Sequence, residues 1–128
     1  MNHLKAAIDV FDIELEQLNL GLIQLKKNRE FNSLVDDLSQ TNCRIVVIGM
    51  GKSGHIGGKI SASLASTGTF SFFIHPAEAY HGDLGMIGKE DCILLLSNSG
   101  ETEEILRLLP FIKSNGNKIV SIVGNKNS

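Results

Sequence analysis

From Leu4 to Leu25 the apolar residues Leu4, Ile8, Phe11, Leu15, Leu18, Leu22 and Leu25 recur at alternating steps of four and three. That spacing is a heptad stripe and predicts one long amphipathic helix. Ala7, Val10, Ile13, Leu20 and Ile23 widen the stripe beyond a bare coiled-coil seam, which leaves surface both for covering a core and for meeting a second subunit. Phe31 to Leu38 predicts a second, shorter helix, and the polar run Ser39-Gln40-Thr41-Asn42 predicts a loop.

The pattern then changes. Arg44-Ile45-Val46-Val47-Ile48 is a β-branched run without polar alternation, as expected of a strand covered on both faces of a parallel sheet. A glycine turn follows with Gly49, Gly51 and Gly54, and Ser53 to Thr67 predicts a helix. Ile56, Ile60, Leu64 and Ala65 form its expected apolar face, while Gly57, Gly58, Ser61, Ala62 and Ser63 make a thin flank suited to close packing. Thr67-Gly68-Thr69 closes the helix and Ser71 to Ile74 reads as a second strand. Residues 75–85 concentrate ionisable groups in an expected loop. Asp91 to Leu96 is a third strand, Ser97-Asn98-Ser99-Gly100-Glu101-Thr102 a polar turn, and Glu103 to Ser114 a helix buried through Leu106, Leu109 and Ile112. Lys118 to Val123 completes a fourth strand.

Alternating strands and helices predict an α/β fold: a doubly wound, mostly parallel sheet with flanking helices, Rossmann-like or flavodoxin-like. The expected organisation is a helical arm over residues 1–40 and a core over 41–128. Ligands bind such sheets at the carboxyl ends of the strands. The polar loops after Ile48, Ile74 and Leu96 all emerge there, which favours one shared site.

The 128 residues suit one domain, and a net charge of -2 offers no basic surplus for nucleic acid. The longest apolar runs are about strand length, and the first residues mix charges with apolar side chains. Neither a membrane span nor a signal peptide is expected, and a cytoplasmic location follows as the default. Cys43 and Cys92 lack a C-x-x-C spacing and read as buried free thiols.

The glycine turn opening a helix favours an anion, most often a phosphate. A P-loop would need glycine at position 46, which is Val46. Gly49-Met50-Gly51-Lys52-Ser53-Gly54 does satisfy G-x-G-x-x-G, but the next strand ends in His75-Pro76 where a dinucleotide site wants an acidic residue. In the second polar turn, Ser97, Ser99 and Thr102 offer hydroxyls for a phosphate monoester; ordinary helix capping is the alternative. Lys52 could neutralise a phosphate or a developing oxyanion. His75 and His81, with Glu78 and Asp83, could supply an acid, a base or a metal site, although their spacing is not a zinc pattern. Glu101, Glu103 and Glu104 add carboxylates beside the turn, one of which could act as a base toward a sugar carbon.

Taken in order, Gly49-Met50-Gly51-Lys52-Ser53-Gly54-His55-Ile56-Gly57, Ser66-Thr67-Gly68-Thr69, His75-Pro76, Glu78, His81-Gly82-Asp83-Leu84-Gly85-Met86 and Ser97-Asn98-Ser99-Gly100-Glu101 resemble the sugar isomerase (SIS) domain of arabinose-5-phosphate isomerases. The resemblance spans roughly residues 40–124, with Gly58 in place of a usual basic residue and Tyr80 in place of a small one. It implies interconversion of D-ribulose 5-phosphate and D-arabinose 5-phosphate for synthesis of the lipopolysaccharide or capsule sugar Kdo. The catalytic residues it implies are Lys52, Glu104 and His81. The implied substrate contacts are Gly51, Ser53, Gly68, Thr69, His75, His81, Ser97, Asn98, Ser99 and Thr102. No redox cofactor is required, and His75 is similar to a histidine that can bind zinc. The resemblance also implies a homo-oligomer, a dimer or a tetramer, and a domain that continues past residue 128, so that the core is expected to be incomplete at its C-terminal side. A SIS module that binds sugar phosphate without converting it is the alternative reading.

Overall fold

The computed structural model of the chain describes residues 2–39, 43–125 and 127–128. Of the loop expected over residues 39–42, Ser39 is helical and residues 40–42 lie outside the described residues. The chain divides into two compact units, residues 1–41 and 42–128.

In the first unit, helix α1 runs His3–Lys27 and helix α2 runs Phe31–Ser39. Asn2 caps α1 by accepting the Lys5 N–H at 3.1 Å, and Lys26 and Lys27 complement the dipole of its last turn. None of the residues of α1 is buried, so its apolar stripe stays exposed along its whole length.

The second unit is a four-stranded sheet of β1 (Ile45–Gly49), β2 (Ser71–Ile74), β3 (Cys92–Ser97) and β4 (Lys118–Val123), in the order β2-β1-β3-β4. Every pairing is parallel, with Ile48 opposite Ile74 and Leu95, and Leu96 opposite Ile122. All five residues of β1 are buried, as an apolar run in a central parallel strand should be. On one face, Val46, Ile48, Ile74, Ile93 and Leu95 build the core against Ala79, Ile87, Ile105, Leu108 and Ile112.

Helix α3 (Gly51–Ser66) packs with its small residues inward. Gly54, Gly57 and Ser61 are buried, whereas Ile56, expected on the buried face, is exposed. The reason is steric: a Cβ on Gly57 would come within 3.0 Å of the Phe73 ring and 3.2 Å of Val47, so the helix sits too close to the sheet for larger side chains. It also begins before Ser53, which puts Lys52 and Ser53 in the first turn.

Two further expectations change. The segment after β2 is not a plain loop but folds into α4 (Pro76–Ala79) and a 3-10 turn (Asp83–Met86). The helix expected from Glu103 to Ser114 is broken into α5 (Glu103–Leu106) and α6 (Leu109–Asn115), with Pro110 in the first turn of α6, where its missing N–H is tolerated. The buried face is also not the expected one. Ile105, Leu108 and Ile112 are buried, while Leu106 is exposed. Gly116 ends α6 at φ 84°, a left-handed cap. Neither cysteine is in a disulfide; Cys92 is buried and Cys43 only partly so.

Candidate active site at the carboxyl edge of the sheet

The strand order places a topological switch between β1 and β3: the chain leaves β1 toward β2 on one side, and β3 continues to β4 on the other. In parallel α/β sheets the crevice at such a switch is the ligand site. Here it is a cavity of about 410 Å³ at the carboxyl ends of the strands. Lys52 and Ser53 reach it from α3, Ser97 and Asn98 from the end of β3, and Ile56 and Ile122 give it an apolar wall.

Each wall has a local cause. Gly51 takes φ 56°, a left-handed conformation that turns β1 into α3, and Met50 caps that helix without a side-chain bond. The first N–H groups of α3 thus lack a side-chain acceptor beside Lys52, an arrangement that favours an anion. Gly124 donates its N–H to the Asn98 carbonyl at 3.0 Å and so ties the end of β4 to the polar turn. A Cβ on Gly124 would lie 2.7 Å from that carbonyl oxygen, so only glycine allows the contact.

The hydroxyls of the polar turn can be counted. Ser97, which is buried, accepts the Gly100 N–H at 3.0 Å and shares a 2.8 Å bond with the Thr102 hydroxyl. That shared bond uses one of two hydroxyl protons and leaves the other to donate. Ser99 accepts the Glu101 N–H at 3.1 Å and keeps its own proton. Helix capping, the alternative set by the sequence, is not what these hydroxyls do, since Thr102 at the N-cap of α5 makes no side-chain cap bond; the oxygens shape the turn while two protons remain for a phosphate oxygen.

His75 follows β2 at the same edge. Its Nδ1 accepts the Ala77 N–H at 3.3 Å as the N-cap of α4. His81, past α4, and Glu104, in the first turn of α5, are exposed. Neither they nor His75 line the cavity that holds Lys52. The neighbouring Glu103 is engaged by Arg107 one turn on, so Glu104 is the carboxylate of that turn without a partner among the described residues.

Gly68 and Thr69 stand apart from this cavity. They lie between the end of α3 and the start of β2, and the adjacent Phe70 carbonyl accepts the Ile45 N–H at 2.8 Å. That is the amino edge of the sheet, a strand's length from Ser97. Within one chain they cannot share the cavity.

A zinc site needs three or four donors. Among the described residues no group of three His, Cys, Asp or Glu side chains is close enough to hold an ion, and His75 Nδ1 is already occupied by the cap. Among the described residues of this one chain, His75 therefore stands without the further donors a zinc site requires. No helix among them is long and apolar enough to cross a membrane.

Sequence reasoning missed Ile56, Ile122 and Gly124 as parts of the site. Ile122 is the apolar residue opposite Leu96 in β4, and a register drawn from strand lengths would have brought it to the edge.

The SIS domain family model matches residues 37–128. Arabinose 5-phosphate isomerase KpsF of Escherichia coli O6:H1 is 63% identical over 89 residues, covering 68% of this chain and 27% of that protein. Arabinose 5-phosphate isomerase KdsD of Yersinia pestis is 46% identical over 126 residues, 97% of this chain and 37% of that protein. The chain thus spans 27% to 37% of the length of these curated relatives. Among solved structures, an Escherichia coli CFT073 protein in complex with arabinose 5-phosphate aligns with a TM-score of 0.82 at 41% identity, over 100% of this chain and 69% of that one. With its parallel sheet, its switch-point cavity and a family match over most of its length, the chain belongs to the SIS domain family.

Proposed function

We propose that this chain carries the sugar-phosphate site of an aldose–ketose isomerase that interconverts D-arabinose 5-phosphate and D-ribulose 5-phosphate. The observation that carries the reading is the meeting of Lys52, from the start of α3, with Ser97 and Asn98, from the end of β3, in one cavity at the β1/β3 switch. Likeness to isomerases of that specificity, and to a protein solved with arabinose 5-phosphate, names the substrate.

The polar turn holds the phosphate through the spare hydroxyl protons of the Ser97–Thr102 pair and Ser99, with Asn98, Gly51 and Ser53 completing the grip. A base, Glu104 or His81, takes the proton from the carbon beside the carbonyl and returns it to the neighbouring carbon through an enediol. The Lys52 ammonium stabilises negative charge on the oxygen as the enediol forms. The reaction is an internal proton transfer and consumes no redox equivalent. Gly68 and Thr69 would reach a sugar phosphate only in a neighbouring copy, which supports a homo-oligomer, a dimer or tetramer joined through the exposed stripe of α1. We place the enzyme in the cytoplasm, supplying the pathway to Kdo.

The test is turnover of arabinose 5-phosphate in deuterium oxide by the full-length protein. Deuterium at the exchanged carbon of the product is expected, and turnover without any exchange would count against the enediol.

A binding module without turnover is favoured by one observation: the lining of the cavity includes a cation but no carboxylate or imidazole. Calorimetry and an activity assay on the same full-length sample separate the readings, since binding without conversion would select the module.

A further inference from the structure

The ring of His75 is held more tightly than an exposed loop histidine would be. Ile74 before it and Pro76 after it are buried, and so is Ala79, so α4 is pinned to the core at both ends. His75 itself is extended, with φ -78° and ψ 130°, the region that a following proline enforces. The Ala77 N–H therefore points at a fixed place, and the His75 Nδ1 fills it at 3.3 Å.

An imidazole nitrogen that accepts an N–H carries no proton, so the neutral ring must carry its proton on Nε2. A histidine that binds a metal through Nε2 has the opposite arrangement, because its other nitrogen keeps the proton and donates it outward. Here that would set two N–H groups against each other. Binding through Nδ1 would remove the cap, with no cluster of donors among the described residues to replace it. We infer that His75 is fixed in the Nε2–H tautomer as the cap of α4, an arrangement that does not fit a zinc ligand.

The experiment is a two-bond proton–nitrogen correlation on nitrogen-labelled protein at a pH of about 8, where an ordinary imidazole is neutral. The His75 ring signals, assigned by their loss in His75→Asn, are expected to show a protonated Nε2 and a bare Nδ1, unchanged by one equivalent of zinc. A protonated Nδ1, or zinc-induced shifts that vanish in His75→Asn, would overturn the inference. Amide exchange at Ala77 should quicken about fivefold in His75→Ala and stay near the parent rate in His75→Asn, whose side chain also caps. Equal exchange in all three would overturn the cap.

Discussion

Asp91 accepts two parallel hydrogen bonds from Arg44, Nε to Oδ1 at 3.0 Å and Nη2 to Oδ2 at 2.7 Å. The carboxylate side chain is 5% exposed and the guanidinium 45%, so one partner is buried while the other keeps a flank in water. The same Oδ2 takes the Gly88 N–H at 2.6 Å, and Arg44 also donates to the Met86 carbonyl at 2.9 Å and stacks on Phe72. Asn117, buried nearby, donates to the carbonyls of Gly88 and Asp91. This clamp fixes, at the amino edge, the far end of the segment that begins with His75 at the carboxyl edge.

Burial alone would raise the Asp91 pKa, but the bonds from Arg44 and the Gly88 N–H, with the charge of Arg44, outweigh it and hold the carboxyl below its ordinary value. A depressed folded value means the contribution is present above the unfolded pKa, about 3.9, and is lost as pH falls through the folded one. Urea midpoints should fall steeply below a pH of about 4, and Asp91→Asn should flatten that limb. Arg44→Met leaves the carboxylate with the Gly88 N–H but without its cation and should cost about 1–3 kcal/mol at neutral pH. An acid limb unchanged in Asp91→Asn would refute the assignment.

Adjacent glycines in α3 should respond with opposite sign. Gly57→Ala forces a methyl against Phe73 and Val47 and is expected to destabilise by about 1–3 kcal/mol. Gly58→Ala meets nothing within 4 Å and should stabilise the helix by about 0.5–1 kcal/mol. Thermal midpoints of the two variants decide it, and shifts of the same sign would contradict the packing described.

Lys52 and Ser97 should separate in kinetics of the full-length enzyme. Lys52→Met removes charge stabilisation from the enediol and should lower kcat by about 10²–10³-fold. Ser97→Ala leaves the Gly100 N–H without its acceptor and should mainly raise KM, about tenfold. A Lys52→Met enzyme with parental kcat would remove the lysine from the reaction.

The stripe of α1 leaves Phe11 67% and Leu15 58% exposed, which suits burial by a second copy. Replacing both with glutamate should lower the mass measured by light scattering while circular dichroism retains the fold. An unchanged mass with intact fold would refute assembly through this helix.

By itself the sequence determined the four strands, the three longest helices and their order. The β-branched run at Ile45–Ile48, the glycine turn at Gly49–Gly54 and the stripe of α1 are local patterns, because strand and helix periods are written within a few residues. It also brought Lys52, Ser97 and Asn98 to one edge, since parallel strands deliver their following loops together. Tertiary structure decided which face of each element is covered. Ile56 carries the apolar signal, yet Gly54 and Gly57 are buried, because the closeness of α3 to Phe73 selects for absent side chains over apolar ones. Leu106 lost its place to Ile105 and Leu108, which with Ile112 lie at steps of three and four on one helical face, while Leu106 lies off it. Gly68 and Thr69 fell at the far edge because a single helix carries the chain back across the sheet, and the distance between edges is a property of the packed sheet rather than of any short motif.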